Sequence, residues 1–412
     1  MNWYANLHNK YAPVPLPFML SLLRDRSAAL HADTVAHRRH LHQHPELSFA
    51  EHATCRYVAE ALQAYGLQPE AGIGGTGVVA VVEGRNPASR VLALRADMDA
   101  LPIVEANDVP YRSQNPGVMH ACGHDAHTAS LLTAGRLLHE LRDAWEGTVK
   151  LIFQPGEEKA PGGASLMIKE GVLAGPAKPQ AILGQHVMPY LPAGTVGFRS
   201  GMYMASADEI YMTIHGKGGH GAMPERFIDP VAITSYLLVA LQQLVSRQAN
   251  PKIPSVLSFG RVIAEGATNV IPNSVEVAGT FRTLDEAWRE QAMLNIERMA
   301  TGIVESMGGR LELNIVRGYP HLKNDPELTA RSRALAEAYL GPENVVDLDL
   351  WMAAEDFAYY THQVPGCFYR LGTGNEARGI TSGVHTPTFD IDEDALRHAP
   401  GLMAWMAVGQ PA

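Results

Sequence analysis

The sequence is poor in cysteine: Cys55, Cys122 and Cys367 are the only three in 412 residues. Thiols so few and so scattered cannot build a disulfide framework, so a cysteine that does chemistry here would do it as a metal ligand or a reactive thiol in a reducing, cytoplasmic setting. Positive charge is also short. With 33 Lys and Arg against 43 Asp and Glu, the formal net charge is -10, and no basic run offers the footprint that a nucleic-acid backbone requires. Long apolar runs are missing as well. None approaches the roughly 20 residues of a spanning helix, and Pro13, Pro15 and Pro17 interrupt the apolar segment near the N-terminus that could resemble an export signal. Neither nucleic acid nor membrane is therefore expected as a partner; a small molecule is. What the chain does have is length and apolar content, 46% hydrophobic residues over 412 positions, enough to bury two cores.

One stretch is chemically dense. His120-Ala121-Cys122-Gly123-His124-Asp125-Ala126-His127 packs three imidazoles, a thiol and a carboxylate into eight residues, a ligand pattern for a transition metal. The apolar, helix-forming run 129–138 behind it places the cluster on a loop and the first turn of a buried helix. Free N–H groups at such a helix start favour thiolate and carboxylate.

Residues 20–44 read as a helix carrying His31, His37, His40, His42 and His44. No cysteine or carboxylate pair accompanies them, so they are read as a solvated face or as support for ligands elsewhere. A second helix over 50–65 is closed by Gly66. Gly72, Gly74 and Gly77 have dinucleotide spacing but precede a strand and open no helix. They are read as a turn into a hairpin with arms 78–83 and 91–96. The second arm runs into Asp97 and Asp99, where a polar turn and a functional pair are equally open.

The strand 148–153 ends at Glu157 and Glu158, a pair that can divide its work: one carboxylate for metal, the other for protons. The strand 181–184 ends at His186. Recurrence of such side chains at strand ends argues for one shared site. From about residue 200 the periodicity reads β-α-β-β-α-β, a ferredoxin-like insert. The predicted domains are therefore 1–200 and 318–412, the two parts of a sheet-and-helix α/β domain, and 201–317, inserted between them. Loops of the insert hold His220, in a glycine-rich stretch that buries little, and Asn269. The last histidine of interest, His385, lies in a polar turn.

Five segments then carry a family resemblance: Arg39-His40-Leu41-His42 through Pro45-Glu46-Leu47, Arg95 through Pro102, His120 through His127, Phe153 through Glu158, and Val384-His385-Thr386-Pro387. In this order they resemble the amidohydrolase branch of the M20 metallopeptidases, which includes aminoacylase-like, hippurate and indoleacetyl-amino-acid hydrolases. The resemblance implies an α/β catalytic domain with a dinuclear metal site, and a smaller inserted domain acting as lid and dimerisation module. It implies two divalent ions (manganese, zinc, cobalt or nickel) held by Cys122, His124, Glu158, His186 and His385, with Glu157 as general base. The implied substrate is an N-acyl or N-aroyl amino acid, split at its amide into a carboxylic acid and an amino acid.

Asp97 stands where most of the family carries a histidine ligand, which leaves ligand and supporting roles both open. Asn269 and Arg282 are candidates for binding the substrate carboxylate, although Arg282 can equally be a solvated strand residue. His220 is expected to reach the amide oxygen as a donor. Three rivals stand beside this reading: a thiol hydrolase using Cys122 with His120 or His127, a dipeptidase or carboxypeptidase of the same family, and a metal carrier without turnover. The Glu157-Glu158 pair speaks against the carrier, which needs only one carboxylate there.

Overall fold

The computed structural model describes residues 15–411; Pro13, part of the N-terminal reading, lies outside them. Cα packing divides the chain into two compact units, Met202–Leu322 with Leu350–Ala358, and the remainder. The stretch 350–358, which the sequence reading leaves with 318–412, packs with the second unit. Among the described residues no helix is long and apolar enough to cross a membrane.

The first unit is built on an eight-stranded sheet. Its order is Glu70–Ile73, Gly77–Glu83, Thr148–Gln154, Val91–Asp97, Ala181–Pro192, Gly366–Gly374, Val196–Phe198 and Val345–Asp347. The strands Thr148–Gln154, Val91–Asp97 and Ala181–Pro192 lie side by side and parallel, so their C-terminal ends share one edge. They are buried almost throughout, as near-continuous apolar runs in a parallel sheet demand. The helix His124–Glu140 packs against this sheet, buried along most of its length. The apolar helix Ala399–Val408, buried on every side, closes the core against it.

Three local expectations change. The predicted hairpin does not form: Gly77–Glu83 and Val91–Asp97 each pair with Thr148–Gln154, which lies between them. A strand apolar on both faces gains more as a central strand than as a hairpin arm, and Val91–Asp97 is such a strand. The helix over 20–44 is two helices, Leu16–Ala29 and His31–Gln43, parted at the buried Leu30. The strand predicted to end before His186 runs on to Pro192.

The second unit has the element order Asp208–His215, Pro230–Leu241, Ser255–Ile263, Ser274–Thr283, Glu286–Ser306, Arg310–Arg317. Its four strands pair antiparallel throughout, with Ser274–Thr283 and Asp208–His215 in the centre, the ferredoxin-like arrangement. Both helices bury their apolar faces in a core with Ile210, Met212, Val275 and Phe281. Each is capped by an aspartate: Asp229 accepts from Val231 and Ala232, and Asp285 from Trp288, which satisfies N–H groups the helix leaves open.

Candidate metal centre

The first unit's sheet edge collects the chemistry. Val91–Asp97 delivers Asp97 and, just beyond it, Asp99. Thr148–Gln154 leads through Pro155 and Gly156 to Glu157 and Glu158. Gly156 has φ +55°, and a Cβ there would lie 2.3 Å from the Phe49 ring, so only glycine makes this turn. Gly123 is equally constrained: its φ is +82°, and a Cβ would sit 2.5 Å from Val187. It precedes the helix His124–Glu140 and lets Cys122 and His124 face the same way. His385 adopts φ +63°, rare for a residue with a side chain. Its N–H donates to Ala121 O at 2.7 Å, tying the last turn to the first.

Cys122 Sγ lies 3.4 Å from His186 Nε2. Glu158 Oε1 lies 3.1 Å from His385 Nε2 and 3.9 Å from His124 Nε2. Two ligand sets result, Cys122 with His124 and His186, and Cys122 with Glu158 and His385; within each, the donor atoms fall within 4.8 Å of one another. Glu157 and Glu158 form a further set with His124. The five side chains expected as ligands are thus brought together, with Glu157 among them.

The surrounding groups orient these donors. His124 Nδ1 lies 3.2 Å from Asp99 Oδ1, which directs its Nε2 inward. Asp99 also accepts the N–H groups of Glu157 (3.1 Å) and Glu158 (3.0 Å) and the Ser48 hydroxyl (2.7 Å). Both Asp99 oxygens are thus engaged, holding the His124 ring and the Glu157 and Glu158 backbone in place. Asp97 accepts from Arg95 at 2.7 Å and from His127 Nδ1 at 2.6 Å; its Oδ2 lies 3.7 Å from His124 Nε2. His127 Nε2 accepts the Val187 N–H at 2.8 Å, so neither ring nitrogen is left for an ion or for a thiol. Asp125 turns away from the donors to Arg38 and His42.

Electrostatics make this a site for cations. Burial alone would lower the His124 pKa, but Asp97, Asp99 and Glu158 outweigh it and push it up to about 10. Burial, then Glu158 and Glu157, hold the Cys122 thiol well above its ordinary value. Burial and Arg370 press His186 well below the usual imidazole range. Asp97 is held well below the usual carboxylate range: burial opposes this, but His124, Arg95 and His127 prevail. Concentrated carboxylate charge of this kind draws in a positive charge. The buried His124 Nε2 has no hydrogen-bond partner among the described residues, and a divalent ion fits there: thiolate, imidazole and carboxylate are its ordinary ligands.

The second unit holds the other sequence candidates. His220 and Asn269 come together on one small ribbon: His220 pairs with Val270, and Gly221 N–H donates to Asn269 O at 2.9 Å. His220 is exposed, and its Nδ1 accepts from Ala222 N–H at 3.1 Å, which leaves the ring proton on Nε2. Arg282, on Ser274–Thr283, is half-buried and donates to Met352 O at 3.1 Å.

Sequence reading missed Ser48, Arg95 and Arg38 as the partners of Asp99, Asp97 and Asp125, while for His42 it left a supporting role open. Of the histidines on the early helix, His42 is fully buried beside Asp125, while His44 is exposed. The available signal was the spacing of Arg38 and His42, one helical turn apart on one face.

The pattern of Peptidase family M20/M25/M40 matches residues 93–406. An N-acyl-L-amino acid amidohydrolase of Geobacillus stearothermophilus is 44% identical over 72% of this chain and 79% of its own length. Thermostable carboxypeptidase 2 of Saccharolobus solfataricus is 38% identical over 90% of this chain and 93% of its own. Among solved structures, the YXEP protein of Bacillus subtilis, described as a dinuclear metal binding peptidase of the M20 family, superposes with a TM-score of 0.79 at 36% identity, covering 92% of this chain and 98% of that one. The chain belongs to peptidase family M20/M25/M40.

Proposed function

We propose that this chain, a metal-dependent amidohydrolase, hydrolyses the amide of N-acyl amino acids, with two divalent ions held by Cys122, His124, Glu158, His186 and His385. The observation that carries the reading is the adjacent pair Glu157 and Glu158, both anchored through their N–H groups on Asp99 and both converging with His124. Bound divalent ions supply Lewis acidity, which eases deprotonation of water and polarises a carbonyl. Glu157 takes the proton of the attacking water as the new C–O bond forms. When the C–N bond breaks, Glu157 returns that proton to the departing amine, so acid and amino acid leave with protons balanced. His220, with its ring proton on Nε2, donates to the carbonyl oxygen as negative charge develops there. Asn269 and Arg282 are the groups proposed for the substrate carboxylate.

The thiol-hydrolase rival loses His127 as its base, because both His127 nitrogens are engaged; with His120 as base it loses support from the raised pKa of the Cys122 thiol, which leaves little thiolate at neutral pH. A peptidase reading keeps support from the carboxypeptidase among the relatives. One experiment separates these readings: apo protein, reconstituted in turn with manganese, zinc, cobalt and nickel, is assayed on N-acetyl and N-benzoyl amino acids and on dipeptides. Turnover of the acyl substrates after reconstitution is expected, with little on dipeptides; preference for dipeptides favours the peptidase, and activity without metal favours the thiol. Glu157→Gln should keep its metal and lose turnover, and turnover in that variant would remove Glu157 from the role of base.

A further inference from the structure

Arg38 is entirely buried, yet nothing in the proposed chemistry uses it. Its Nε donates to Asp125 Oδ2 at 2.8 Å, its Nη2 to Asp390 Oδ1 at 2.7 Å, and its Nη1 to Glu393 Oε1 at 3.2 Å. The Tyr111 ring lies 4.7 Å from the guanidinium carbon, and the Tyr111 hydroxyl donates to Asp390 Oδ2 at 2.7 Å. His42, one turn along the same helix, adds contacts from Nδ1 to Asp125 Oδ2 at 2.7 Å and from Nε2 to Glu105 Oε1 at 3.2 Å. Glu105 in turn accepts Ser113 N–H at 2.7 Å, which fixes the loop leading to the cysteine turn.

These contacts join segments far apart in sequence. Asp125 directly follows His124, and Asp390 and Glu393 lie just after the turn of His385. We propose that Arg38, assisted by His42, is a positioning residue that sets the spacing between the segment donating Cys122 and His124 and the segment donating His385. The proposal rests on the dinuclear reading above. A rigid guanidinium fork holds three carboxylates at fixed angles, which an ammonium on a flexible stem does not. As a stabilising device such a buried cluster is inefficient, because desolvation consumes most of its attraction. As a spacer it is effective: each carboxylate is fixed in direction as well as distance. Of the two ligand sets, the one made by Cys122, Glu158 and His385 draws on both segments and depends most on their spacing.

The test is zinc titration of the apo protein against a chelating dye, for the wild-type chain, Arg38→Lys, Asp390→Asn and a control, Leu402→Ala, whose side chain is buried in the helix Ala399–Val408. Arg38→Lys is expected to bind one zinc as the wild type does and the second 10- to 100-fold more weakly, the loss typical when a group supporting a ligand is removed. Leu402→Ala, though less stable, should bind both normally. Wild-type affinity for both ions in Arg38→Lys, or an equal loss in Leu402→Ala, overturns the proposal. Should Arg38→Lys fail to fold, Asp390→Asn carries the same test, since it leaves the Arg38 to Asp125 bond in place and loosens only the His385 side. Unchanged zinc binding in that variant overturns the proposal too. A wild-type chain that binds fewer than two zinc ions overturns the dinuclear reading and this inference with it, whereas two ions bound in wild type and variants alike overturn the inference alone.

Discussion

Asp99 illustrates how one carboxylate can matter to a metal centre by holding other groups in place. Its Oδ1 serves His124 and the Glu157 N–H, and its Oδ2 serves Ser48 and the Glu158 N–H. Replacing it with asparagine keeps the volume but turns one acceptor into a donor, which must then face an N–H or a hydroxyl. A mispaired buried polar group costs about 1 to 3 kcal/mol. Asp99→Asn should therefore lower metal affinity or kcat by about 10- to 100-fold with the fold retained, as read by metal analysis, circular dichroism and turnover; full activity would reduce the clamp to an incidental contact. The sequence could not separate this role from a polar turn, because its four partners come from three separate segments, near 48, 124 and 157. The donors themselves were legible, since Cys122 and His124 share one turn and Glu157 and Glu158 are adjacent.

At the scale of elements, legibility followed the direction of burial. The second unit's helices and strands bury one face each, so their periodicity marks them, and its order was readable from the sequence. In the first unit, strands buried on both faces carry no alternation, and the Gly77–Glu83 and Val91–Asp97 strands were paired by adjacency when Thr148–Gln154 belonged between them. Helix packing offers a prediction of its own. His37 joins the helices His31–Gln43 and His52–Ala64, with Nδ1 2.7 Å from the Tyr57 hydroxyl and Nε2 against that of Tyr65. Burial lowers its pKa to about 4, although Asp33 pulls the other way. Because the unfolded chain titrates near the ordinary value of about 6.5, it binds more protons than the folded chain between these values. Stability is then full above pH 6.5 and falls as the pH drops toward 4. Denaturant melts over this range should give a shallower acid slope for His37→Gln than for the wild type; identical slopes would show that His37 does not set it. On the ribbon of the second unit, His220→Ala should keep its metal content and lose about 10²- to 10³-fold in kcat, and near-normal kcat would make His220 an ordinary loop residue.

At the scale of the molecule, the two units have separate sheets and separate cores, so metal should stabilise them unequally. Asp97, Asp99, Glu157 and Glu158 crowd one buried region of the first unit with carboxylates. Without divalent ions, their mutual repulsion is relieved only by protons and by neighbours such as Arg95. A ligand present at a thousandfold excess over its Kd stabilises the folded state by about 4 kcal/mol, and chelation removes that term. None of the described side chains of the second unit belongs to the Cys122, His124, Glu158, His186 and His385 sets, so its stability has no direct share in the term. Chelation should therefore abolish turnover and speed amide hydrogen exchange at 120–127, 154–158 and 383–387, while exchange in Asp208–His215 and Ser274–Thr283 stays as it was. Restoring one divalent ion at a time should recover protection in the first unit before turnover, because donors can be ordered by partial loading while the chemistry needs the full site. Exchange that rises equally in both units would contradict the separation of their cores, and exchange unchanged everywhere would contradict a resident metal.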